Sequence, residues 1–443
     1  SGFENNASNN VFLGYKAGAN NDDGFHNVSV GAFSARENTG NVSVFLGFGA
    51  GEHNRGNIST IVGTFAGKYN SGDNNVLMGY DVGGCNEGDQ NVFIGIKSGK
   101  HNKHDNNVYI GNYTGENYQG NDDTFLGYRA GNDGKGDNNV FVGTFTGEGN
   151  QGDYNVFMGV SAGHKNSGND NVFLGYHAGY ENTSGDSNVF LGNKSGACND
   201  YGNQNVFIGH HAGEKNVEGN TNVFIGYHTG YINTSGNDNV FLGTYAGASN
   251  DSGDSNVFVG TQAGKENIYG TQNVFIGYSS GLSNESGNFD TFIGYQAGAN
   301  NDQGSYNVFL GYQAGYTNAN SDNNVFVGTQ AGYTNRSGND NVFLGTQAGK
   351  QNTLGSSNVF IGNQTGLSNT IGNKNIFIGN NSGGCNEGSF NTFLGFESGF
   401  ENNASNNVFL GYKAGANNDD GFHNVSVGAF SARENTGNVS VFL

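Results

Sequence analysis

Ten histidines, three cysteines, a scatter of acidic loops and rows of Asn, Thr and Tyr are the side chains that could do chemistry in this 443-residue chain. The histidines stand at variable positions such as His26, His101, His104, His177 and His228, none in an HExxH or similar zinc frame. His210 and His211 are adjacent, and in a strand they would face opposite ways. Oxygen ligands for calcium could come from Asp22 and Asp23, Asp122 and Asp123, and the SGND runs ending at Asp170, Asp238 and Asp340, although the GGxGxD spacing of calcium-binding rolls is absent. Tyr278, Tyr295 and Tyr312 could stack on sugars, and Thr244, Thr261, Thr329 and Thr346 offer fragments of a flat ice-binding row interrupted by Tyr and Asn. No nucleophile, acid and base stand together, and the glycines precede no readable helix, so no phosphate cradle is formed. The expectation is a protein that is not an enzyme and holds no cofactor, with calcium as the one ion the loops could take.

What must position these residues is a repeat. NVFLGTQAGKQNTLGSS begins at Asn341 and NVFIGNQTGLSNTIGNK at Asn358. Taking the Gly that ends each VFLG run as an anchor gives 26 anchors from Gly14 to Gly428, spaced 16 or 17 residues apart. Asn stands four before the anchor almost throughout, Val, Thr or Ile three before, Phe two before in 21 turns, and an aliphatic residue or Met one before. A second Gly follows four after, except at Ala35 and Ala432, usually behind Ala, Ser or Thr. Asn recurs seven after, with Tyr118 and Gly134 the departures, and a third Gly comes nine or ten after. The difference between 16 and 17 residues lies between that Asn and that Gly, so it reads as a loop insertion.

Such a period predicts an all-β parallel β-solenoid, or β-roll, with one repeat per turn. The four residues before the anchor are strand formers, and glycine permits positive φ at corners and close approach of stacked backbones. Two Asn rows, with Asn171, Asn188, Asn205 and Asn222 in one and Asn182, Asn199, Asn216 and Asn233 in the other, are expected to form amide ladders. Gly175, Gly192, Gly209 and Gly226 mark the turns. Low complexity rich in Gly, Asn and aromatics also suits a disordered segment, but disorder gives no reason for a fixed register.

Residues 1–46 and 398–443 are identical, an offset of 397 residues or 24 turns, so a superrepeat is nested above the single turn. The chain is expected to be one continuous array over 1–443, cut from a longer protein and lacking both capping ends, with the superrepeat spanning about 115 Å at roughly 4.8 Å per turn. Cys85, Cys198 and Cys385 would then be roughly 34 and 53 Å apart at that rise, beyond disulfide reach. A net charge of −20 argues against nucleic-acid or anionic-membrane partners, and no apolar run is long enough for a membrane span.

At NVFLG and its copies the sequence resembles the head repeat of trimeric autotransporter adhesins, and the Gly/Asn-rich repeats of some phage tail fibres and bacterial surface proteins. The match covers a five-residue core and the small-residue corner, repeated along the chain; the turn here is longer, and Phe stands where that family has a small residue. The resemblance implies a left-handed parallel β-roll in an extracellular fibre or adhesin stalk on a cell or virion surface, self-associating as a trimer or filament. A binding array for glycan, calcium or ice is the alternative.

Which strand face lies inside is the least determined feature. The position before the anchor never carries a polar residue, which favours it for the interior and leaves Phe outside as an aromatic stripe. Phe173, Phe190, Phe207 and Phe224 are then expected at a homo-oligomer interface. The opposite arrangement turns Phe inward against the small Ala and Ser.

Overall fold

The computed structural model describes residues 2–443 and contains, among them, strands and turns but no helix. No helix is therefore long and apolar enough to cross a membrane. The chain gathers into two compact units, one ending at Glu218 and the other beginning at Gly219. In the first, strands β1 (Val11–Leu13) to β13 (Val206–Ile208) succeed one another, one per turn; in the second, β14 (Val223–Ile225) to β27 (Val441–Phe442) do the same. Successive strands pair in parallel and without register shift, as where Val172, Phe173 and Leu174 lie against Val189, Phe190 and Leu191. Each unit is a parallel β-solenoid with the expected 16 or 17 residues per turn.

The strand is one residue shorter than its propensity suggests, because the Asn four before the anchor spends its backbone N–H on a side chain. Asn188 N donates to Asn171 Oδ1 at 2.8 Å, and the backbone ladder starts only with Val189 N to Asn205 O. Beyond the strand the hydrogen bonds alternate in direction. Gly192 N and Lys194 N reach back to Leu174 O and Tyr176 O, while Gly196 N and Cys198 N reach forward to Ala212 O and Glu214 O. That alternation needs left-handed corners. The residues two after and five before each anchor take φ near +55° although most are not glycine, as at Lys194 (+53°) and Ser187 (+58°). Such a conformation costs roughly 1 to 2 kcal/mol for a residue with a Cβ. The pairing of each turn with both neighbours offsets it.

Two glycines per turn are fixed by contact as well as by φ. A Cβ on the anchor Gly175 (φ +147°) would lie 2.2 Å from Gly192 O in the next turn. One on Gly179, four after the anchor (φ +57°), would lie 2.4 Å from the ring of Phe173 in its own turn. The first glycine lets turns stack; the second lets a ring lie across the narrow lumen.

Candidate functional site: interior ladders and outer strand face

The Phe row lies inside, which reverses the expected interface. Phe173, Phe190, Phe207 and Phe224 are each 0% exposed within their own chain, while Leu191 and Ile208 are partly open to solvent. In a three-residue strand only the middle side chain points one way. The residue three after the anchor, Ala178 or Ser195, is small and fully buried as well. Successive rings stack along the axis with centroids 4.8 Å apart and planes within 4° for Phe173 and Phe190. These four residues therefore form core, not an interface.

Both expected Asn rows are buried, and they bond differently. Seven after the anchor the ladder runs amide to amide: Asn199 Nδ2 donates to Asn182 Oδ1 at 2.7 Å, and Asn216 Nδ2 to Asn199 Oδ1 at 2.6 Å. The same amide also reaches Gly202 O at 2.8 Å, where Asn188 Nδ2 arrives from the other row at 2.9 Å. In the second unit Asn222 and Asn233 likewise converge on Gly236 O, both at 2.8 Å. Four before the anchor, the side-chain oxygen accepts a backbone N–H instead, as Asn155 Oδ1 does from Asn171 N at 2.9 Å and Asn188 Oδ1 from Asn205 N at 2.9 Å. The turn glycines Gly175, Gly192, Gly209 and Gly226 all take φ between +136° and +147°.

The inserted residue of the 17-residue turn is absorbed in the loop. Asn70 Nδ2 reaches the carbonyl of Gly72, two residues on, at 2.9 Å; Asn250 Nδ2 reaches that of Gly253, three residues on, at 2.8 Å.

A third row was missed in the sequence. From Asn41 to Ser405 the residue six before the anchor is always Asn, Asp, Ser or Thr. Its side-chain oxygen accepts the backbone N–H of its counterpart one turn earlier, as Asp89 Oδ1 does from Asp73 N and Asp105 Oδ1 from Asp89 N, both at 2.7 Å. Tabulating oxygen-bearing short side chains by phase, rather than acids alone, would have exposed it. The SGND acids Asp170, Asp238 and Asp340 sit one residue later at φ +56° to +57°, where Asp is tolerated in the left-handed region.

Departures from the consensus come with compensations. Where Ser29 replaces Phe, Ala35 replaces the Gly whose Cβ a ring would exclude, and Ser29 Oγ bonds Ser34 Oγ at 2.6 Å; Ser426 and Ala432 repeat the pair. Tyr118 replaces an Asn and spans two rungs: its hydroxyl donates to Lys135 O and accepts from Asn139 Nδ2, both at 3.0 Å. Gly134 makes room, since a Cβ there would lie 2.7 Å from the Tyr118 ring. Two groups nearby stay unsatisfied, Tyr109 Oη and Asp123 Oδ2. Burial, partly opposed by Asn139 donating to it, pushes the Asp123 carboxyl up to about 8. Asp290, the other acid in the row four before the anchor, is raised for the same first reason and bonds Asn301 Nδ2 and Asn307 N.

The remaining candidates are surface features. His210 and His211 lie on the corner after Gly209 rather than in a strand, so their rings do not face opposite ways but approach to 3.9 Å. Tyr278, Tyr295 and Tyr312 stack on each other at 5.2 and 5.3 Å, so both faces of the middle ring are occupied by its neighbours. Cys85 and Cys198 in the first unit and Cys385 in the second are free thiols. Facing outward from every strand are the residues three before and one before the anchor, Val240 and Leu242 or Val308 and Leu310 for example, at 39 to 45% exposed. Comparison of the sequence with protein-family models and with curated proteins gives no match to either.

Proposed function

We propose that this chain is a structural, non-catalytic solenoid, a spacer of the kind that extends an extracellular fibre or adhesin stalk, as its resemblance at the NVFLG core implies. One observation carries the reading: the residues that recur in phase, two Asn rows, the Phe row and three glycines, are all engaged in holding one turn on the next. At 4.8 Å per ring-to-ring step, the thirteen anchors of each unit correspond to roughly 60 Å of stacked lattice. Solenoid stability grows with neighbour contacts, so a lumen filled in phase turn after turn favours a rigid element over a folded pocket. On this reading the segment needs no cofactor, and cell- or virion-surface placement follows from the resemblance alone.

The test is mechanical and thermal. Negative-stain images are expected to show each unit as an elongated body, and melting is expected to be unchanged by a chelator or by reduction of the thiols. Globular particles, or melting lowered by chelation, would overturn the spacer reading, the latter in favour of calcium held by the acidic loops.

A further inference from the structure

The outward columns of the strands hold a pattern that the interior does not explain. Three before, one before and one after the anchor, across all 26 turns, there is no Asp, Glu, Lys or Arg, although the chain carries 38 acids and 18 basic residues. Charges do appear one position further on, as at Lys16, Asp81, Arg129 and Glu397. The first two columns are Val, Thr, Ile, Leu or Met without exception, and they are solvent-facing: Leu242, Leu310 and Leu394 are 44 to 47% exposed. Nothing about filling the lumen requires an exposed residue to stay aliphatic. Depletion of charge with retention of aliphatics is the composition of a covered interface core.

We infer that this face associates with the same face of a second copy of the chain, the two sheets packing face to face through their Val and Leu/Ile columns. The inference rests on the structural reading above and adds its partner. Size supports it. Full burial of an aliphatic side chain corresponds to roughly 60 to 120 Å². With about a third still open, two columns leave roughly 500 to 1,000 Å² per unit, to which the Tyr, Phe and Thr of the third column add. A stable interface takes about 800 Å² from each partner, and monomers rarely leave more than about 300 to 600 Å² of contiguous apolar surface open. Spacing selects the occupant. Ridges repeating every turn, with strand neighbours in strict register, interdigitate along their whole length only with a surface of the same repeat, and a second copy has it. The isologous arrangement also closes, since the same patch serves both partners.

Sedimentation velocity and light scattering on the 443-residue chain decide it. At micromolar concentration the wild type is expected at twice the chain mass or above. Replacing Leu242, Leu310 and Leu344 together by Glu is expected to weaken association at least a hundredfold, giving the monomer mass with an unchanged far-ultraviolet spectrum. A control carrying Glu at Tyr269, Leu354 and Ile371, exposed on the loops at 52 to 56%, should associate like the wild type. If the triple Glu variant fails to fold, Thr at the same three positions keeps strand propensity and should weaken association at least tenfold. A wild type that stays monomeric at tens of micromolar, a face variant that associates normally, or a control that dissociates equally would overturn the inference. A folded, elongated monomer would do so while leaving the spacer reading intact; loss of the β spectrum in the wild type would remove both.

Discussion

From Phe224 to Phe409 every turn of the second unit presents the same ring to the lumen, whereas the first unit carries Ser29, Ile61, Leu77 and Tyr109 in that row and Tyr118 in an Asn row; each unit holds one acid four before an anchor, Asp123 and Asp290. Both fold into the same lattice, and two of the first unit's departures come with a compensating change nearby. Ser29 comes with Ala35, and Tyr118 with Gly134. The repeat thus specifies contacts rather than residue types, and a position is strict only where its contact partner is. The largest expected effect follows from breaking such a pair in the uniform region. Gly315→Ala would drive a Cβ to within 2.4 Å of the Phe309 ring at φ +58°, and it should cost about 3 kcal/mol or more in urea denaturation. Adding Phe309→Ser should make the double variant more stable than the sum of the single losses by more than about 1 kcal/mol, as contact residues couple. Additivity would mean that the Ser29 and Ala35 pairing is incidental.

How much of this was legible beforehand follows the same logic. Period, strand position, parallel stacking and both Asn rows could be read because each shows as a residue type in fixed phase. The orientation of the strand could not, since alternation in a three-residue strand assigns faces only up to a swap, and a strictly aliphatic column has the composition of core. The coupling of Ser29 to Ala35, copied at Ser426 and Ala432 by the superrepeat, was visible as one coincident exception, and it implied that the ring and the second glycine meet. The row six before the anchor stayed hidden because Asn, Asp, Ser and Thr count as one class only when the shared role, an oxygen accepting a backbone N–H, is known.

Next in size is the uniform ladder itself. Asn250 Nδ2 donates to Asn233 Oδ1 and Gly253 O, both at 2.8 Å, and its Oδ1 accepts from Asn267 Nδ2 at 2.7 Å. Asn250→Ala removes one rung and leaves buried partners unpaired, so a loss of about 2 to 3 kcal/mol is expected in urea titration. A loss below about 0.5 kcal/mol would show that Asn serves there only as a turn former.

Asp123 turns the comparison into a pH dependence. Its carboxyl titrates at about 8 in the folded chain, against 3.8 for the free group. Below pH 4 the group is neutral in both states and costs nothing. Between about 4 and 8 the unfolded chain ionises while the folded one holds its proton, so stability contributed by this site falls as pH rises, and it levels off above 8. Asp123→Asn restores the consensus amide and removes that slope. The variant should therefore match the wild type near pH 4 and exceed it by an amount that grows to a few kcal/mol by pH 8. Equal denaturation midpoints at pH 8 would show that the site is hydrated rather than dry.

The smallest expected effect concerns Tyr109, which sits in the Phe row between Phe93 and Phe125 with its ring stacked on both, at 4.9 and 4.8 Å. Its ring thus makes the contacts a Phe would make, and only the hydroxyl distinguishes it. That hydroxyl is buried and unpartnered, and burial together with the Asp123 carboxyl holds its proton on at any ordinary pH. An unsatisfied buried hydroxyl costs about 1 to 3 kcal/mol, part of which is returned by the dispersion contacts of the extra atom. Tyr109→Phe should therefore stabilise the first unit by about 1 kcal/mol at every pH. Combined with Asp123→Asn the gain should fall short of additivity, because the two polar groups share one pocket of the lumen. A destabilising Tyr109→Phe would mean instead that the hydroxyl and the carboxyl are joined through an ordered water, and that the pair is a satisfied polar insertion into the aromatic column.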